Sequence, residues 1–247
     1  MPPQANRGDV QVFAGPRVTV LIAAWNEAER IGETLRALAA LTANITQILV
    51  VDDGSTDSTV EVARASGATR VISIRHAGKG AALMAGIPLI DEDTALLLDA
   101  DLGKSVAAVA ELLRPIEAGE ADLAIAILPG SGGPRRGRGM VVRLARWGIR
   151  RLTGFTAVAP LSGQRAIRRC MLPERLPRGW GVEVAATIDA LRRGARVVEV
   201  EADFTHRVTG NSVAGWRHRA RQFVDVSVAV GLAALPRRRR SRGANKQ

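Results

Sequence analysis

The chain has no tyrosine, a single cysteine and only 3% aromatic residues among 247 positions. Each shortage excludes something. Cys170 has no partner for an internal disulfide, so burial must hold the fold together, and a reducing compartment fits. No apolar run reaches the roughly 18 residues that a membrane-spanning helix needs. Residues 1–15 lack the basic segment and apolar stretch of a secretory leader, so the expected location is cytoplasmic. Aromatics are too few to alternate with basic residues as a single-strand-binding surface requires, and no nucleic-acid partner is expected. What is present is a 47% apolar content, which excludes disorder as the main state and suits one domain.

The net charge of +11 is unevenly placed. Residues 135–151 hold seven arginines and no acid, and residues 217–246 hold nine basic residues against Asp225 alone. The rest of the chain is therefore net acidic. An acidic body with two basic patches suits a protein that meets an anionic membrane surface or phosphate-bearing molecules at particular places.

Short apolar runs alternate with helical spacings from residue 18 onward. Strands are expected at 18–23, 48–51, 71–74 and 95–98, each followed by a helix, at 27–41, 57–65, 79–87 and 106–116. This alternation implies parallel pairing through right-handed crossovers, hence an α/β sheet with ligands at the carboxyl ends of its strands. Beyond a strand at 122–127, the glycine- and arginine-rich stretch 129–139 reads as a mobile loop. Helices at 140–152, 182–193 and 215–235 and strands at 163–168 and 196–201 complete the chain. The expected organisation is a flexible 1–15, a domain over 16–214, a final helix over 215–235 and a disordered basic tail over 236–247.

Three strand ends carry acids: Ala24-Trp25-Asn26-Glu27, Asp52-Asp53-Gly54-Ser55-Thr56-Asp57 and Asp99-Ala100-Asp101. Taken alone, the second segment reads equally well as a turn with a helix cap. Together, clustered carboxylates repel one another unless a cation or hydrogen-bond donors compensate. A hard divalent ion, Mg2+ or Mn2+, completed by the phosphate oxygens of a diphosphate substrate, does so. Gly78-Lys79-Gly80 adds a cation between glycines that let a phosphate or nucleotide come close. No P-loop or dinucleotide-binding glycine pattern is present.

The segments VTVLIAAWNE (18–27), ILVVDDGSTD (48–57), GKGAALMAG (78–86) and ALLLDAD (95–101), in this order and spacing, resemble the inverting nucleotide-sugar glycosyltransferases of family 2, which have the GT-A fold: a mixed, mainly parallel sheet flanked by helices. The resemblance implies that Ala24, Glu27, Asp53, Lys79, Asp99 and Ala100 line the nucleotide-sugar site. It makes Asp99 and Asp101 the Asp-X-Asp metal motif, with Asp101 the direct ligand.

FTHRVTGNS (204–212) is similar to the Arg-x-x-Gly-x-Ser segment of the dolichyl-phosphate mannosyltransferase and polyprenyl-phosphate glycosyltransferase subgroup. That resemblance places Arg207 and Ser212 at an acceptor phosphate and His206 at the metal. Asn211 or Ser212 reads alternatively as the cap of the last helix. Glu183 stands where many members carry Glu-Asp, but Val184 replaces the aspartate base. A phosphate acceptor, ionised at neutral pH, needs no such base. Asp101, Arg207 and Glu183 are thus the catalytic candidates.

The final helix reads either as interfacial, apolar between arginines, or as packed on the core. The expected activity is metal-dependent transfer of a hexose from a UDP- or GDP-sugar to a polyprenyl phosphate at the cytoplasmic face of a membrane. A soluble enzyme with a small phosphorylated acceptor and an inactive nucleotide-sugar-binding scaffold are the alternatives, and the oligomeric state stays open.

Overall fold

A computed structural model describes residues 16–41, 44–129, 139–179, 181–205 and 213–234, with side chains of the last helix described from 224 onward. Most of the glycine- and arginine-rich stretch, Trp180, His206, Arg207, Ser212, and the two expected flexible ends lie outside these residues. In chain order the elements are β1 (Val18–Ala24), α1 (Ile31–Ala39), β2 (Ile45–Asp52), α2 (Thr59–Ala65), β3 (Arg70–Ser73), α3 (Lys79–Gly86) and β4 (Thr94–Asp99). Then follow α4 (Val109–Glu117), β5 (Leu123–Ile127), α5 (Met140–Thr153), β6 (Arg165–Arg168), α6 (Val182–Arg192), β7 (Val197–Glu201) and α7 (Val213–Ala234). Each expected strand and helix is found, with boundaries shifted by a few residues. The helix expected from 106 starts instead as a 3-10 turn, Gly103–Ala108.

The seven strands among the described residues form one sheet in the order β3-β2-β1-β4-β6-β5-β7. All pairings are parallel except those of β6, which runs antiparallel to β4 and β5. The order reverses at β1, with β2 on one side and β4 on the other, and such a switch point opens a crevice at the strands' carboxyl ends. β6 brings its beginning to that crevice: Leu97 pairs with Arg165, so Gly163 and Gln164 lie beside the end of β4.

Both faces of the sheet are covered, which is why its strands are apolar on both sides. Val18, Val20, Ile22, Leu96 and Leu98 pack with Ile31 and Leu35 of α1 and Leu112 and Ile116 of α4. Leu21, Leu49, Val51 and Leu97 turn the other way, against Ala82 and Leu83 of α3 and Val182 and Ala190 of α6. The outer side of α6, through Val184 and Ile188, meets Ala145 and Ile149 of α5 and Val226 and Val230 of α7. Gly148 permits this close approach, since a β-carbon there would fall 2.4 Å from Val230 Cγ2. One face of the last helix is therefore packed on the body.

Opposite the crevice, Asp122 gathers three strands. Its carboxylate accepts from Arg196 Nε and Nη2 at 3.1 and 3.0 Å and from the Arg196 amide at 2.9 Å, with Arg168 Nε 3.4 Å away. The hydrogen bonds from Arg196, seconded by the charges of Arg196 and Arg168, hold its pKa down at about 2. A depressed carboxylate contributes stability that is complete above the ordinary range and fades as pH falls through the folded value. Asp122→Asn should therefore cost about 1–2 kcal/mol at neutral pH, after allowance for solvent screening. In thermal melts across pH, the gap between variant and wild type should close as pH falls from about 4 towards 2; an unchanging gap contradicts the role of the charge.

Candidate active site at the carboxyl ends of β1 and β4

Two loops are stitched together at the switch point. Asn26 adopts a left-handed conformation (φ 53°), and the amides of Asn26, Glu27 and Ala28 are then bound by Ser55 Oγ, Thr59 Oγ1 and Asp57 Oδ2 at 2.9, 2.9 and 3.2 Å. Asn26 Oδ1 in return accepts the Thr56 amide at 2.8 Å. Ser55, Asp57 and Thr59 therefore hold the neighbouring loop, and Asp57 also accepts the Thr59 amide at the start of its own helix at 3.0 Å. The hydroxyl of Thr59 and the amides of Ala28 and Thr59 hold the Asp57 carboxyl below the usual range.

Asp53 is buried and spends its carboxylate on the loop before α3, accepting the Ala77 and Gly78 amides at 2.8 and 2.9 Å. His76 Nδ1 lies 2.9 Å from the same carboxylate. The ring of His76 stacks on Trp25, with 4.7 Å between centroids and 26° between planes. Trp25 is half exposed, so the pair presents a flat aromatic wall at the end of β1. Neither residue was singled out from the sequence, although Trp25 sits inside the first acidic segment.

The glycines around Lys79 have a different reason from the one expected. A β-carbon at Gly80 would stand 1.8 Å from the Pro177 carbonyl oxygen, and one at Gly78 would stand 2.3 Å from that of Arg178. The backbone that comes close is the protein's own segment leading into α6. Lys79, thus placed, sends Nζ to Asp99 Oδ1 at 2.7 Å and to Glu183 Oε1 at 2.9 Å. Burial pulls the Lys79 pKa down, but the two carboxylates outweigh it and hold the ammonium well above its ordinary value.

Asp99 and Asp101 part company here. The second oxygen of Asp99 accepts from Gln164 Nε2 at 2.6 Å, so Asp99, expected as a metal ligand, is clamped between a lysine and an amide. Asp101 follows a turn fixed by Thr34, whose hydroxyl donates to the Ala100 carbonyl and accepts the Gly103 amide, both at 2.8 Å. It lines an open groove of roughly 430 Å3 with Arg30, Glu33, Lys104, Ser105 and Thr205. Glu27, paired with Arg30 at 2.9 Å, has its pKa raised by burial and then by the charges of Asp101 and Asp57. The mouth of the crevice gathers Glu27, Glu33 and Asp101 beside Arg30 and Lys104, and one carboxylate beside such a groove fits a hard cation completed by substrate oxygens and water. Ser105 ties Thr205 to this rim, its hydroxyl accepting the Thr205 amide at 3.0 Å. No cluster of three or more His, Cys, Asp or Glu side chains suited to a metal occurs among the described residues.

Arg165, buried at the start of β6, supports Glu183 from below. Its Nη1 donates to the Glu183 carbonyl at 3.0 Å and to Thr187 Oγ1 at 2.9 Å. Burial pushes its pKa down to about 10, against the charges of Glu183, Glu199 and Asp99. Nothing in the sequence singles out Gln164 and Arg165 beyond a polar pair at the opening of a short strand that also ends in an arginine.

Glycosyl transferase family 2 matches residues 19–172, more than half of the chain, and the chain belongs to that family. It has the GT-A fold. The glucosyl-3-phosphoglycerate synthase of Mycobacterium tuberculosis with bound phosphoglyceric acid superposes with a TM-score of 0.71, at 28% identity over 91% of this chain and 82% of that one. The same enzyme with Mn2+, UDP and glucosyl-3-phosphoglycerate gives the same figures. The undecaprenyl-phosphate 4-deoxy-4-formamido-L-arabinose transferase of Salmonella paratyphi A is 37% identical over 95 residues, 35% of this chain and 29% of that protein. The chain thus spans under a third of the length of such curated relatives.

Gly80→Ala should destabilise the protein by about 2–3 kcal/mol, because a fixed backbone oxygen occupies the β-carbon position. Gly231→Ala, on α7 with nothing within 4 Å, should be neutral or stabilising by up to about 1 kcal/mol. Denaturant titration of both variants checks the contrast.

Proposed function

We propose that the protein transfers a hexose from a UDP- or GDP-sugar to an acceptor that already carries a phosphate, with inversion at the anomeric carbon and with polyprenyl phosphate as that acceptor. The observation that carries the reading is the separation of the two acids of Asp99-Ala100-Asp101, one locked by Lys79 and Gln164, the other open to a groove.

In this reading the Trp25–His76 wall takes the flat nucleobase, Asp53 positions that wall, and Ala24 and Glu27 complete the nucleoside side. Asp101 holds a Mg2+ or Mn2+ ion, which neutralises charge developing on the leaving diphosphate. His206, next in the chain after the tethered Thr205, is the second protein candidate for that ion. Lys79, Asp99 and Glu183, joined by short hydrogen bonds, offer donors and acceptors for sugar hydroxyls, with Ala100 between the two acids. Glu183 is committed to Lys79 and followed by Val184, an arrangement that suits an acceptor with no proton to remove. Arg207 and Ser212 hold the acceptor phosphate, the arginine as a fork.

The Salmonella relative supports a polyprenyl phosphate, a lipid that would place the enzyme at the cytoplasmic face of a membrane. No helix among the described residues is long and apolar enough to cross one. The likeness to the mycobacterial synthase extends over 91% of this chain and favours a second reading, a small phosphorylated acceptor. Both readings share the phosphate.

Transfer from UDP- and GDP-sugars should be measured with polyprenyl phosphate in detergent and with 3-phosphoglycerate. Chelation should abolish transfer, and Asp101→Asn should reduce it on the order of a hundredfold or more while leaving the melting temperature unchanged. Full activity in excess chelator contradicts the metal. Transfer to 3-phosphoglycerate alone selects the second reading.

A further inference from the structure

Five of the seven large hydrophobic side chains exposed among the described residues lie on two helices, α5 and α7. These helices form the outermost layer on their side, because α6 lies between them and the sheet. On α5, Met140, Arg143, Trp147, Arg150 and Arg151 are all exposed. Their spacing of three, four, three and one puts them on one face of a helix, opposite the buried Ala145, Gly148 and Ile149. Trp147 is 60% and Met140 is 70% exposed. On α7, Val224, Val228 and Leu232 recur every fourth residue and stand 59%, 49% and 58% exposed, opposite Val226, Ala229 and Val230.

A purely solvated face has no need of a tryptophan, a methionine and an aliphatic stripe, and scattered single hydrophobics would not cluster in this way. A second copy of the chain is disfavoured by charge. α5 carries four arginines and no acid, and a two-fold contact across it would set like charges against one another. An anionic bilayer satisfies both features, since arginines meet lipid phosphates while tryptophan and aliphatic groups enter the boundary between headgroups and acyl chains. We propose that the α5–α7 layer is a docking face for an anionic lipid surface, with Met140 and Trp147 inserted and Arg143, Arg150 and Arg151 paired to headgroups. For its part in turnover the proposal rests on the lipid-acceptor reading above; binding itself does not.

Co-sedimentation of the full chain with phosphatidylglycerol–phosphatidylcholine vesicles, at low and physiological salt, tests the proposal. Binding should need the anionic lipid and weaken with salt. Replacing Arg143, Arg150 and Arg151 together by glutamine should weaken it about a hundredfold, and Met140→Ala with Trp147→Ala should weaken it at least tenfold. All these side chains are exposed, so melting temperatures should hold. The proposal fails if wild type ignores the vesicles, if the variants bind as well as wild type, or if sedimentation shows a stable dimer that Trp147→Ala splits. Transfer to polyprenyl phosphate in detergent without vesicle binding would sink the docking face and leave the acceptor reading standing. Vesicle binding with transfer only to a water-soluble acceptor would do the reverse.

Discussion

Lys79 is the residue through which the crevice is assembled. It opens α3, pairs with Asp99 at the end of β4 and with Glu183 in the first turn of α6, and so ties together elements more than a hundred residues apart. Three charges in a half-buried place are best tolerated when they are paired and hydrogen-bonded, and removing one partner leaves the others less well compensated. Lys79 reaches both acids because glycines at 78 and 80 let the Pro177–Arg178 backbone lie against the start of α3. Packing and charge are here one constraint.

The functional asymmetry follows from that constraint. With Lys79 on one oxygen and Gln164 on the other, Asp99 is held as a rigid acceptor. Asp101, two residues on, is turned outward by the Thr34 clamp into a groove. The sheet topology makes this possible: among the described residues, antiparallel β6 is the only strand that delivers its beginning, and hence Gln164 and Arg165, to the end of β4. A wholly parallel sheet would bring a strand's carboxyl end there instead.

The first half of the chain was legible because its signals are local. Apolar runs of strand length, each ending in acids and followed by helical spacing, placed β1, β2 and β4 and aimed Glu27, Asp53, Asp99 and Asp101 at one edge. Partners remote in sequence were not legible: Gln164 is 65 residues from Asp99, and nothing in SGQRAI marks its amide for a carboxylate. The glycines of Gly78-Lys79-Gly80 read as a close approach to a ligand, and in the fold the backbone of Pro177 and Arg178 lies against them. Periodicity alone cannot say whose backbone arrives. The final helix could be read as packed or as interfacial because it has two apolar faces; the structure buries Val226 and Val230 and leaves Val228 and Leu232 exposed.

In the proposed reaction two acids two residues apart divide the labour, Asp101 holding the metal ion and Asp99 the sugar side. Calorimetric titration of wild type, Asp99→Asn and Asp101→Asn with UDP and with the UDP-sugar, each with and without Mn2+, tests it directly. Asp101→Asn should lose the metal-dependent part of UDP affinity. Asp99→Asn should keep that part and lose the extra affinity conferred by the sugar. Equal loss of the metal-dependent part in both variants would contradict that division.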